Sequence, residues 1–344
     1  MKLITSQVDL DHALRTIAPA VGVRSSHPIL DCCLITAANA TATITGFNLD
    51  LGITVTIPAA VGVAGAMALP YRLLAGLVSR MDDTEAVEIA DGTVSASGGS
   101  YGLAGQDAAD YPAMPVVEAP SADLDITASV RACLMAASTD ASKQVLQGVH
   151  LANGFMEATD GHRLVRLPVP LPDGINLTLP ASTMKLLQDR TVGIAAANGQ
   201  AVIDAGDGIT IYSRILGGTY PDVAKLIPAT FDTAITLDRH RFTRCLERVA
   251  LIGEIVKLFI GDNGTMIISA EADASNGTEA IKYTGTTGKL AIAFNVHYLL
   301  DGLKAFRSSE SVTLSANGAT TPVVITPSNA SDQTYLIMPV QISS

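Results

Sequence analysis

The chain has 344 residues, which at about 100–200 residues per domain means two or three domains. Hydrophobic residues make up 48 % and aromatics only 4 %, with no Trp, so any core must be built from Ala, Val, Ile and Leu. The formal net charge of −11 excludes a protein that coats nucleic acid over its whole surface, because phosphate contacts need Lys and Arg. The four cysteines, Cys32, Cys33, Cys133 and Cys245, form no C-x-x-C pair and sit in apolar runs, so buried free thiols are expected. No signal peptide opens the chain and no apolar run reaches 18 residues, which predicts a soluble, cytoplasmic protein.

In chain order, the first predicted element is an amphipathic helix with Leu10, Leu14, Ile17 and Val21 on one face, behind Ser6-Gln7-Val8-Asp9, a capping-box-like start. Strand-like runs follow at Ala42–Val55 and Val87–Ser95, and between them Pro70 opens a second helix at Tyr71-Arg72-Leu73-Leu74. The pattern then repeats. Val130, Cys133, Leu134 and Ala137 share a helix face, Gly148–Leu167 and Gly208–Leu216 read as strands, and Pro180 opens a helix at Ala181-Ser182-Thr183-Met184. A third round places Phe242, Cys245, Leu246 and Val249 on one face, strands in Leu258–Ala270, and Asn295 at a helix mouth. Asp91-Gly92, Asn263-Gly264 and Asn317-Gly318 are predicted tight turns.

Pro70, Pro180 and Asn295 recur at steps of about 110 residues, as do Tyr111-Pro112 and Tyr220-Pro221; the last round closes on Met338-Pro339. The joins are Pro115–Ser121 and Pro228–Asp232. The expectation is an α+β chain of three pseudo-repeated domains, 1–117, 118–230 and 231–344, each with two helices on one face of antiparallel sheet. Pseudo-symmetric chains of this kind often close a ring by oligomerising.

Here the residues resemble a known family. Thr159-Asp160-Gly161-His162-Arg163-Leu164 in the middle repeat, Met338-Pro339-Val340 at the end, Arg24 followed by Pro28-Ile29-Leu30, Ala108-Ala109-Asp110-Tyr111-Pro112, and Phe294-Asn295-Val296 with Tyr298 are similar to the β subunit of bacterial DNA polymerase III, the replicative sliding clamp. The resemblance runs through essentially the whole chain. It implies DNA-clamp domains closing as a head-to-tail homodimeric ring that encircles duplex DNA, independently of sequence, with helices lining the hole. It implies a processivity factor in DNA replication, without catalysis, cofactor or metal. Polymerase, a clamp loader and repair proteins would bind through short peptides.

The resemblance also implies sites. A Gln-Leu-x-Leu-Phe-like peptide would enter a hydrophobic cleft formed by Leu146, Thr159, Gly161, His162, Arg163, Leu164, Pro221, Lys225, Leu226, Asn295, Tyr298, Thr320, Pro322 and the tail Leu336, Ile337, Met338, Pro339 and Val340. The dimer would join Tyr101 to Leu251 and Ile252 of the other subunit. DNA would face Arg24, Arg72, Arg80, Lys143, Lys185 and the stripe Arg241, Arg244 and Arg248, which meets the charge objection by gathering the few cations on the helices. Two departures stand out. Ala181 and Ser182 replace a basic pair, and Gly253–Lys257 is short and lacks the aromatic residue that lines the family's cleft.

Other classes fit the sequence less well. Gly98-Gly99-Ser100-Tyr101-Gly102 matches G-x-S-x-G, but no helix is predicted after it, so a hydrolase using Ser100 is disfavoured. There is no P-loop, dinucleotide fingerprint or H-E-x-x-H. A repetitive surface or virion β protein would share the composition but not the repeated helices or the Arg stripe.

Overall fold

The computed structural model describes residues 1–23, 27–96, 98–114, 124–272, 274–286 and 288–341. Arg24 and the join Pro115–Ser121 lie outside them. The first repeat runs β1 (Lys2–Ser6), α1 (Gln7–Ile17), β2 (Cys32–Ala38), β3 (Thr41–Phe47), β4 (Leu51–Pro58), β5 (Ala60–Val63), β6 (Gly65–Pro70), α2 (Tyr71–Val78), β7 (Ala86–Ala90), β8 (Thr93–Ala96) and β9 (Gly99–Gly102). The second runs β10 (Leu124–Asp125), α3 (Thr127–Ala136), β11 (Gly148–Ala152), β12 (Phe155–Thr159), β13 (Arg163–Pro168), β14 (Asn176–Pro180), α4 (Ala181–Lys185), β15 (Thr191–Ala197), β16 (Gln200–Asp204) and β17 (Ile209–Arg214). The third runs β18 (Thr233–Asp238), α5 (Arg239–Val249), β19 (Ile255–Ile260), β20 (Thr265–Ala272), β21 (Ser275–Lys282), β22 (Thr284–Thr286), β23 (Leu290–Asn295), α6 (Val296–Ala305), β24 (Ser311–Ala316), β25 (Val323–Pro327) and β26 (Thr334–Ile337). Each repeat is thus a strand, a helix, a run of strands whose last leads into a second helix, and three more strands; the middle run has five strands in the first and third repeats and four in the second.

The helix starts follow their side chains. Ser6 Oγ accepts from the Asp9 N–H at 3.0 Å, Asp238 from Arg241 at 2.6 Å, and Asn295 from His297 at 2.9 Å. Each such cap is worth about 1 kcal/mol. Pro70 and Pro180 hold the N-cap of α2 and α4 without a side-chain bond. Asp91-Gly92 turns with both residues at positive φ, as a two-residue hairpin requires. Asn317-Gly318 does not: it begins a longer loop before β25, in which the Asn317 amide donates to Thr230 O and its carbonyl accepts from Asp232 N.

Contacts divide the chain into two compact units, residues 1–124 with 190–215, and 125–189 with 216–344. The first holds a sheet in the order β5-β1-β7-β8-β9 and another in the order β10-β15-β16-β17-β4-β3-β2-β6. Helix α1 lays Leu10, Leu14 and Ile17 on β3 and β4, where Ile44, Ile53 and Val55 are buried. The second unit holds a nine-stranded sheet, β14-β11-β12-β13-β26-β25-β24-β18-β22, and a four-stranded one, β21-β20-β19-β23. On α5, Phe242, Cys245, Leu246 and Val249 are all buried, at about 1.5–3 kcal/mol for each large side chain. On α3 the buried stripe is Val130, Ala132, Cys133 and Ala136, with Leu134 and Ala137 only partly covered. The ladders are antiparallel, and residues 191–214 of the middle repeat extend the first repeat's sheet through β17 on β4, so compactness does not follow the repeat boundaries.

Candidate functional site: a cleft at the β13–β26 joint

The second unit closes one joint between repeats. Strand β26 pairs with β13, setting Arg163 opposite Ile337, Leu164 opposite Leu336 and Val165 opposite Tyr335. Just before β13, Thr159-Asp160-Gly161-His162 makes a self-bonded turn. Asp160 Oδ1 accepts from the N–H groups of His162 (2.8 Å) and Arg163 (3.0 Å), and Gly161 takes φ +95°. Thr159 Oγ1 donates to Arg163 O at 2.6 Å and accepts from Gly161 N, while Lys143 Nζ donates to Asp160 O at 2.9 Å.

Arg163 ties this turn to α6. Its Nε bonds Asp160 Oδ2 at 3.0 Å, its Nη1 bonds Asp301 Oδ2 at 2.6 Å, and its guanidinium lies 4.4 Å from the centre of the Tyr298 ring. Tyr298 and Asp301 are one turn apart on α6, and Asn295, the cap of that helix, fixes where both stand. His162 stacks beside Tyr298, with ring centres 6.4 Å apart. Tyr335, fully buried, donates its hydroxyl to Tyr298 O at 2.7 Å; burial raises its phenol far above the ordinary range, so it stays a donor.

Past β26 the tail is held twice more. Met338 N donates to His162 O and Val340 N to Ala293 O, both at 2.8 Å. Met338 and Val340 nevertheless remain 38 % and 36 % exposed. Beneath this joint Leu164, Tyr220, Val223, Val324 and Leu336 form a buried apolar cluster, with Val145, Leu146, Ile227 and Phe231 partly covered against it. Leu226, on the same turn as Val223, is 56 % exposed. Lys225 pairs with Asp222 at 3.0 Å, next to Pro221. Thr320 and Pro322 lie in the loop before β25, and Thr320 shares with Val340, Phe259 and Ala291 the lining of a cavity of about 510 Å³. The arrangement offers exposed apolar side chains over a preformed apolar floor, beside His162, Arg163 and the tail. Among the described residues no group of three or more His, Cys, Asp or Glu could hold a metal ion.

Asp160, Asp301, Tyr335 and the floor residues Tyr220, Val223 and Val324 are absent from the sequence-derived site. Asp160 lies inside the Thr159–Leu164 motif, and Asp301 follows Tyr298 by one helical turn. The floor residues carry no such signal.

The expected DNA-facing cations differ from one another. Arg72, Lys185, Arg241 and Arg244 are exposed. Arg80 folds back onto Gly76 O at 2.6 Å, Arg248 pairs with Glu279 at 2.5 Å, and Lys143 is spent on the Asp160 turn. Arg24 lies outside the described residues. Tyr101 is 44 % exposed on β9, the edge of its sheet; Leu251 is 86 % exposed, and Ile252 packs against Gly277 of β21, an edge strand also. Ser100 lies in β9 and accepts from Ser95 Oγ at 3.0 Å, with no helix after it, so the nucleophile-elbow geometry is not there. All four cysteines are free and buried, as expected.

The family model described as "DNA polymerase III beta subunit, N-terminal domain" matches residues 1–115, and that of the C-terminal domain matches residues 224–341. A beta sliding clamp of Synechococcus elongatus is 33 % identical over the full length of both chains. The chain belongs to the beta sliding clamp family. Its role is therefore that of a sliding clamp in DNA replication. The clamp of Synechocystis is also 33 % identical, over 99 % of this chain and 100 % of its own. Among solved structures, the sliding clamp of Bacillus subtilis superposes with a TM-score of 0.90 at 25 % identity, covering 100 % of both chains. A clamp from Bartonella birtlesii, solved bound to griselimycin, shares the fold with a TM-score of 0.89 at 23 % identity, over 99 % of this chain and 100 % of that one. No helix among the described residues is long and apolar enough to cross a membrane.

Proposed function

We propose that two copies of this chain close head to tail into a ring around duplex DNA, and that polymerase and other partners dock through the cleft at the β13–β26 joint. One observation carries the ring. The last strand of the second repeat, β17, pairs with β4, the third strand after the first helix of repeat one. The last strand of the third repeat, β26, pairs with β13, the third strand after the first helix of repeat two. Two strands of the same two kinds are left over: β9, the last of repeat one, and β21, the third after the first helix of repeat three. Each is a sheet edge. A chain that makes the same joint twice internally carries one unused donor and one unused acceptor, and a second copy pairs β9 with β21 at both junctions. Tyr101 on β9 and Leu251 and Ile252 beside β21 are the apolar side chains of that joint.

In this reading the units 1–117, 118–230 and 231–344 are the three clamp domains, and helix cations such as Arg72, Lys185, Arg241 and Arg244 face the phosphates. Few contacts to backbone and none to bases suit a protein that must slide. The cleft takes a Gln-Leu-x-Leu-Phe-like tail of a polymerase, loader or repair protein, with the apolar anchors over the Leu164–Leu336 floor. The protein works in the cytoplasm as a tether, with no cofactor and no catalytic step of its own.

The test of the cleft is a fluorescent Gln-Leu-x-Leu-Phe peptide titrated against the intact protein and a form ending at Ile337. Losing Met338–Ser344 removes the bonds to His162 and Ala293, and peptide binding should fall at least about tenfold, the loss of about 1.4 kcal/mol. The number of chains per particle should stay the same. Equal peptide affinity in the two forms would rule the cleft out.

A further inference from the structure

We propose that a cavity where α3 meets the ends of α5 and α6 seats a phosphate group. The cavity has a volume of about 350 Å³, ample beside the ~30 Å³ of one water. Its apolar wall is the Ala128, Ala132 and Met135 face of α3 with Ala305, and its polar lining is four cations, Arg131, Arg239, Lys304 and Arg307, with the neutral Ser308.

Arg239 is the telling member. It is only 6 % exposed, yet its hydrogen bonds go to Ser309 O (2.7 Å), Arg307 O (3.0 Å) and the His240 ring, and no carboxylate pairs with it among the described residues. A buried charge without a counter-charge is costly, so an anion entering this cavity gains what the chain leaves unsupplied. The carboxylates within reach of the other cations are already shared. Asp189 holds Arg131, and Asp301 is bonded to Arg163 at 2.6 Å and only loosely to Lys304 at 3.4 Å. Arg307 is exposed and has no ion pair among the described residues, and one of the two carbonyls that Arg239 grips is its own. In a chain of net charge −11, this gathering of cations around one hollow is selective. Guanidinium forks suit the paired oxygens of a phosphate better than those of a small spherical anion.

The phosphate can come from a duplex backbone or from solution. A backbone source rests on the DNA-encircling reading above; a solution source does not. The test uses the full-length protein and the double substitution Arg131→Gln with Arg307→Gln, both at exposed side chains, leaving buried Arg239 in place. In one arm, thermal unfolding is followed in sodium phosphate against sodium chloride at equal ionic strength. The native protein should gain about 1–3 °C at phosphate tenfold above its dissociation constant, and the substituted protein should gain little. In the other arm, a fluorescent 30-base-pair duplex is titrated across salt concentrations. The substituted protein should bind several-fold more weakly, with the slope of log K against log salt smaller by about 1. Both effects together assign the cavity to a backbone phosphate. The phosphate effect alone assigns it to free phosphate, and if native protein then binds no duplex at all, the DNA reading fails while the cavity stands. Loss of duplex binding without any phosphate effect, or no change in either arm, overturns the proposal.

Discussion

Replacing Arg163 with Ala removes the side chain that joins the Asp160 turn to α6. The native guanidinium is only 13 % exposed and makes two charged hydrogen bonds, to Asp160 and Asp301, over the face of Tyr298. Charged hydrogen bonds contribute about 1.5–3 kcal/mol each, and the ring contact adds about 0.5–1 kcal/mol. The full sum is not expected, because neither partner is stranded: Asp160 keeps two backbone N–H donors and Asp301 keeps Lys304. The expected loss is therefore near the lower end, about 3 kcal/mol. Arg163→Lys, a point charge that cannot serve both carboxylates, should lose about half of that. Urea denaturation followed by circular dichroism reads both values on the transition of the unit that contains the joint. A double-mutant cycle with Asp301→Asn should return a coupling of about 1–2 kcal/mol. The peptide described above should bind Arg163→Ala about tenfold more weakly, since Tyr298 loses the group that holds its ring. A destabilisation below about 1 kcal/mol, with no coupling to Asp301, would refute the view that this ion pair organises the cleft.

Substituting Arg241 and Arg244 together with Gln should lower the salt slope of duplex binding by about 1–2, whereas Arg248→Gln should change it less, because Glu279 already occupies that guanidinium; equal effects from the two variants would place all three on one free stripe. His150 stacks on Tyr220 at 4.5 Å and its protonation is disfavoured by burial, so its pKa lies below the ordinary 6.5. The unfolded chain then binds the proton more readily than the folded one. Stability from this group should be complete above about pH 6.5 and decline as the pH falls toward the lowered folded value. Thermal melts from pH 7.5 to 5 should show that decline, and His150→Gln should flatten it; a parallel profile for the variant would contradict the assignment.

The helices were legible because their buried faces recur at steps of three and four residues, most cleanly in Phe242, Cys245, Leu246 and Val249. On α3, where Ala residues line the face, periodicity could not separate Leu134 and Ala137 from the truly buried Ala132 and Ala136. The run Ala42–Val55 hid a turn, because Asn48-Leu49-Asp50 contains neither Gly nor Pro. The Asn48 side chain makes it, accepting from Asp50 N and Leu51 N, with Leu49 at φ +78°. The joints of β17 on β4 and β26 on β13 link residues far apart in sequence, and no local pattern encodes such pairing. At the cleft, the polar turn and the tail were legible from their motifs. Tyr220, Val223 and Val324 were not, since a buried apolar residue reads alike in any core. Lys143 resembled a DNA-facing cation in sequence, but its nearest acceptor is the Asp160 carbonyl.

The central claim is the closed ring, and it is tested most directly by negative-stain electron microscopy of the purified protein with particle mass measured on the same sample. The account predicts rings with a hole wide enough for duplex DNA, at twice the 35.6 kDa chain mass, and monomers when Leu251→Asp buries an unpaired charge at the joint. Compact monomers of the unaltered chain at micromolar concentration, with β9 and β21 left open, would contradict it.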